Sequence, residues 1–168
     1  VTLVQGGPEQ GDALVRGGPD MVVFTGSVAT ARAIARFAGE VMMPVALELG
    51  GKDAAIVLPD ANLERAAAGI TWAAMGFAGQ NCAAIERCYV DRAVHDDLLA
   101  RIVTRTKALR LGEDVGPLVT PAQLAIVQRH VDDAVARGAQ VECGGRATGH
   151  GLFFEPTVLS AVTEDMLV

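Results

Sequence analysis

Apolar and polar residues along this chain fall into blocks that switch between strand-like and helix-like spacing. Apolar runs at residues 1–5, 21–25, 45–49, 54–58, 87–91 and 140–143 predict strands. Residues 8–16, 26–38, 60–77, 95–109 and 120–137 carry the helical pattern. Punctuation supports these bounds. Gly17-Gly18 ends the first helix, Asp60 is suited to cap the third, Pro121 fits a first helical turn, and Gly138 stops the last helix. The segment 153–159 reads as extended with turns. Strands alternating with helices predict an α/β fold, with largely parallel sheets flanked by helices. Gly50-Gly51 interrupts two successive strands, which predicts a domain boundary dividing residues 1–50 from 51–168. There are no internal repeats and no low-complexity tract.

Composition narrows the function classes. With 168 residues, 51% hydrophobic and 20% charged, the chain can bury a core and is not of disordered type. Its 14 Lys+Arg against 20 Asp+Glu give a net charge of −6 with no basic run, which argues against nucleic acid or an anionic membrane as partner. No apolar run approaches the ~18–20 residues of a membrane span, and no basic-then-apolar leader opens the sequence. Three cysteines, with no CxxC pair and no zinc-type Cys/His spacing, predict no metal site and a reduced, cytoplasmic setting. The chain starts at Val1 and stops at Val168 within apolar stretches, so it reads as a piece of a longer polypeptide.

Three places carry candidate chemistry. Phe24-Thr25-Gly26-Ser27 is a strand, a tight turn and a helix start, and such a terminus offers free N–H groups and a positive dipole end to a phosphate. Ser27 either caps that helix or adds a hydroxyl contact, and capping is the simpler reading. The usual GxGxxG fingerprint is missing. Glu48 stands in an otherwise apolar strand, which makes it an edge residue, a member of an ion pair, or a base whose pKa burial would raise. Lys52 is a candidate structural partner. Cys82 lies in a Gly79-Gln80-Asn81 loop after a long apolar helix. Buried cysteine is usually inert, but polar neighbours and backbone N–H groups can stabilise a thiolate and a nearby oxyanion. Cys88 and Cys143 sit in strands and read as packing residues. His95, His130 and His150 read as surface residues, which disfavours a Cys–His hydrolase.

Taken in order, FTGS at residues 24–27, LELGGK at 47–52, GQNC at 79–82, ERCYV at 86–90, GPL at 116–118 and FEPTV at 154–158 resemble the aldehyde dehydrogenase superfamily. The resemblance spans essentially the whole chain. It implies part of a Rossmann-like cofactor domain followed by part of the catalytic domain of that fold. It also implies oxidation of a small-molecule aldehyde to a carboxylic acid with NAD or NADP. Cys82 matches the nucleophile that forms a thiohemiacetal and then, after hydride transfer, a thioester. Glu48 matches the base that activates water to hydrolyse it. Gly26 and Ser27 match the turn that meets the cofactor pyrophosphate, and Leu49 a residue lining the nicotinamide pocket. A full-length homodimer or homotetramer is the family habit. An oxyanion-hole Asn and the ribose-binding Lys and Glu are expected outside the chain, so the isolated fragment is expected to be inactive. A CoA-acylating enzyme is the alternative within the fold, and Glu48 argues against it.

Overall fold

The computed structural model describes all 168 residues, which form two compact units, Val1–Gly51 and Lys52–Val168.

In the first unit, helix α1 (Pro8–Arg16) begins on Pro8, whose missing N–H is no loss in a first turn. Strand β1 (Val22–Gly26), helix α2 (Val28–Glu40) and strand β2 (Val45–Leu49) form a parallel βαβ unit. The ladder pairs Val22 with Val45, Phe24 with Leu47 and Gly26 with Leu49. These positions share the face that α2 covers, and their side chains are half-buried except at exposed Gly26. Val23, Thr25 and Glu48 stand on the other face and are exposed. Ala31 and Ala38, both buried on α2, let the helix lie close to the sheet.

The second unit holds two more two-stranded sheets. Strand β3 (Asp53–Val57) pairs in parallel with β4 (Ile85–Val90), and helix α3 (Leu63–Met75) connects them. Helix α4 (His95–Lys107) follows and packs on α3. Ala67 and Ile70 of α3 meet Leu98 and Ile102 of α4 and Val57 of β3 in the main core. Their three- and four-residue spacings are those of one helical face. Outside this core, Glu64 of α3 receives the guanidinium groups of both Arg101 and Arg105. Helix α5 (Pro121–Ala136) is capped by Thr120, whose hydroxyl accepts the Gln123 N–H at 3.1 Å. A smaller core of Ala134, Ala139 and Met166 lies beneath it.

Several expectations require correction. Residues 1–5 form no strand, because no partner strand is there to complete a ladder. The expected largely parallel character holds in the β1–β2 and β3–β4 sheets, and β5 (Gln140–Cys143) pairs with β6 (Val158–Ser160) antiparallel beside them. Asn62, not Asp60, caps α3, with its Oδ1 accepting the Arg65 N–H at 3.0 Å. That helix stops at Met75, where a 3-10 turn over Gly76–Gly79 replaces its expected last residues. Cys88 is exposed rather than packed, and His130 is half-buried rather than superficial.

Candidate active site

The C-terminal end of the β1–β2 ladder gathers four of the five sequence-predicted site residues. Gly26 is the register partner of Leu49, and Thr25 that of Glu48. Ser27 follows Gly26 directly and caps α2, its hydroxyl accepting the Thr30 N–H at 3.2 Å. The cap occupies one helix-start amide and leaves those of Val28 and Ala29 without a partner in the chain. No acidic residue stands in the first turn of α2. A Cβ at Gly26 would lie 2.5 Å from the Phe24 ring, so a bare residue suits this turn. Open amides, a positive dipole end and a first turn free of acidic residues fit a phosphate group, and parallel α/β sheets bind ligands at this end of their strands. Glu48 itself is exposed and takes part in no ion pair.

Cys82 belongs to the second unit. It follows a turn in which Phe77 (φ 54°) and Ala78 (φ 57°) are left-handed, with Gly79 (φ 73°) after them. Left-handed L-residues are strained by about 1–2 kcal/mol each, and such strain collects at functional sites. Asn81 closes the next turn: its Oδ1 accepts the Ala83 N–H at 3.0 Å and its carbonyl accepts the Ala84 N–H at 3.0 Å. The Cys82 thiol is exposed, 3.7 Å from Asn81 Oδ1, and the Cys82 N–H makes no hydrogen bond in the chain. An accessible sulfur next to an uncommitted amide can form a carbon–sulfur bond and receive the resulting oxyanion. The other thiols are less suited. Burial raises the pKa of Cys143, and local desolvation raises that of Cys88 despite its exposed residue surface, which lowers the thiolate fraction of both.

Two relationships escape a reading of local pattern. Lys52 pairs with Glu86 at 2.7 Å, and Arg87 donates to the Lys52 carbonyl at 2.6 and 3.0 Å. These bonds join the end of LELGGK to the strand that leaves the cysteine loop. Gln80 reaches the segment at residues 117–119. The motifs GQNC and GPL are visible in the sequence, but their bonding to one another is not. Burial first, then the charges of Arg129 and Lys52, lower the pKa of His130 and favour neutral imidazole.

The comparisons with known proteins agree on one family. The model described as the aldehyde dehydrogenase family matches residues 1–168. A Mycolicibacterium smegmatis protein named "Putative succinate-semialdehyde dehydrogenase", NADP(+) type, is 42% identical over 155 residues, covering 88% of this chain and 30% of that protein. The solved structure of "Putative Aldehyde Dehydrogenase PutA" from Anabaena variabilis superposes with a TM-score of 0.93 at 40% identity, over 97% of this chain and 36% of that one. The NAD+ complex of an aldehyde dehydrogenase from Bacillus cereus gives 0.91 at 38% identity, over 96% of this chain and 35% of that one. The chain therefore spans about a third of the length of the relatives it matches. With its motifs, its parallel βαβ units and its whole length matched, this chain belongs to the aldehyde dehydrogenase family.

Proposed function

We propose that the complete polypeptide carrying this chain oxidises an aldehyde to a carboxylic acid with NAD or NADP, through covalent intermediates on Cys82. The single observation that carries this reading is the exposed Cys82 thiol beside its own uncommitted N–H, in a strained and fastened loop. The thiolate attacks the aldehyde carbon, a carbon–sulfur bond forms, and the carbonyl electron pair moves to oxygen, where the Cys82 N–H stabilises it. NAD or NADP, when bound, supplies the acceptor for the hydride that leaves this carbon. The product is a thioester on Cys82. Glu48 takes a proton from water, whose oxygen attacks the thioester, and the carbon–sulfur bond breaks to return the thiolate.

The first unit is proposed as part of the cofactor-binding domain and the second as part of the catalytic domain. Gly26 and Ser27, with the open amides of α2, would meet the pyrophosphate, and Leu49 would line the nicotinamide pocket. Relatives support both cofactor forms: one is named as NADP(+) type and one structure is an NAD+ complex. A base for water has no use in a CoA-acylating enzyme, so Glu48 favours hydrolysis. The setting is proposed to be cytoplasmic, in keeping with three unpaired cysteines, and no helix is long and apolar enough to cross a membrane. A homodimer or homotetramer of the complete protein is the proposed assembly. Aldehyde-dependent NADH or NADPH formation by the complete polypeptide, measured with and without CoA, tests the reading. A product that forms only with CoA, or no reduction with any aldehyde, would refute it.

A further inference from the structure

Gln80 stands two residues before Cys82, and its side-chain amide is fully committed to the protein. Its Nε2 donates to the Phe77 carbonyl at 3.1 Å and to the Pro117 carbonyl at 3.3 Å, while its Oε1 accepts the Val119 N–H at 2.9 Å. Both amide hydrogens and the carbonyl are used, which fixes which way the amide faces. The bonds to Pro117 and Val119 are the only two hydrogen bonds that leave the loop between Gly76 and Ala84 for a distant segment. The turn they secure is the left-handed run of Phe77, Ala78 and Gly79, a conformation that persists only where its surroundings over-determine it. Downstream, Glu86 and Arg87 are held through Lys52. The loop is therefore held on both sides of Cys82, and on the entry side by one side chain.

We propose that Gln80 is a positioning residue for the Cys82 thiol, holding the strained turn against residues 117–119 so that sulfur meets the aldehyde carbon in one geometry. This rests on the reading of Cys82 as nucleophile. The side-chain type follows from the bonds. Glutamate keeps an acceptor for Val119 but sets its charge against two carbonyls, methionine fills the space without any hydrogen bond, and asparagine is one methylene short.

The test compares Gln80→Met and Gln80→Glu with the parent in the complete polypeptide, measuring kcat and the KM for one aldehyde. A displaced nucleophile lowers the rate of the covalent step more than substrate binding, so Gln80→Met is expected to lose on the order of 100-fold in kcat with KM held within about threefold. Gln80→Glu is expected to lose on the order of tenfold. Turnover of Gln80→Met within about threefold of the parent overturns the proposal, as does a rise in KM at constant kcat. If Gln80→Met does not fold, Gln80→Glu decides, and its unchanged kcat overturns the proposal. Cys82→Ala is run beside them: retained turnover there refutes the nucleophile reading itself rather than the role of Gln80.

Discussion

Thr25 and Glu48 are register partners across the parallel β1–β2 ladder, and both stand on the face that α2 leaves open. The Glu48 carboxylate is thereby one residue from the Gly26–Leu49 pair, at the end of the sheet where α2 offers its free amides. If Glu48 activates water, Glu48→Gln in the complete protein should allow the first half of the reaction and block the second. The expected outcome is one equivalent of reduced cofactor, then a stall, with an acyl adduct on the Cys82 peptide by mass spectrometry. Steady-state turnover should fall about 10²- to 10⁴-fold. An undiminished steady state would remove Glu48 from the mechanism.

Cys82 lies in a loop with its thiol exposed, whereas Cys88 and Cys143 lie in strands where desolvation raises their pKa. Cys82→Ala should abolish oxidation, whereas Cys88→Ala and Cys143→Ala should leave turnover nearly unchanged. Rates for the three single variants against one aldehyde check this, and equal losses at all three would contradict it.

Ser27 has a structural duty that can be separated from a cofactor contact. Its hydroxyl caps α2, so Ser27→Ala should lower stability by about 1 kcal/mol and Ser27→Gly by only a few tenths. Denaturant melts of the two variants report the cap. A cofactor Kd weakened equally by both would report a lost hydroxyl contact, since the Gly variant largely preserves the helix start.

Acid should weaken the α3–α4 packing. Hydrogen bonds from Arg105 and then Arg101 lower the pKa of Glu64 from its ordinary 4.5, and Arg137 likewise lowers that of Asp133. A carboxylate depressed in the folded state contributes stability that is fully present above its unfolded pKa. That contribution is lost as pH falls through the unfolded and then the folded value. The thermal midpoint should therefore decline below about pH 4.5, and Glu64→Gln should flatten part of the slope. An unchanged slope in that variant would show that the exposed ion pairs contribute nothing measurable.

Thr106 on α4 is 2% exposed, and its hydroxyl has no hydrogen-bond partner. A buried hydroxyl without a partner is destabilising, so the similarly shaped Thr106→Val should gain about 1 kcal/mol. Leu98, fully buried in the same helix, should cost about 2–5 kcal/mol when truncated to Ala. Calorimetric melts distinguish the two signs.

Features that depend on neighbours three or four residues away are legible in the sequence. The Ser27 cap and Pro121 in a first helical turn follow from local pattern. The Asp60 cap fails because Asn62 also satisfies that local rule and sits where the helix begins. The family motifs lie in the sequence as well, because residue type and order suffice to recognise them. Only the tertiary structure decides which segments exchange hydrogen bonds. Lys52 and Glu86 are 34 positions apart, and Gln80 and Val119 are 39 apart. The antiparallel β5–β6 pair and the missing partner of residues 1–5 are of the same kind. A donor can be read from its residue type, but its acceptor depends on where the folded backbone brings the two together, and local periodicity carries no record of that meeting.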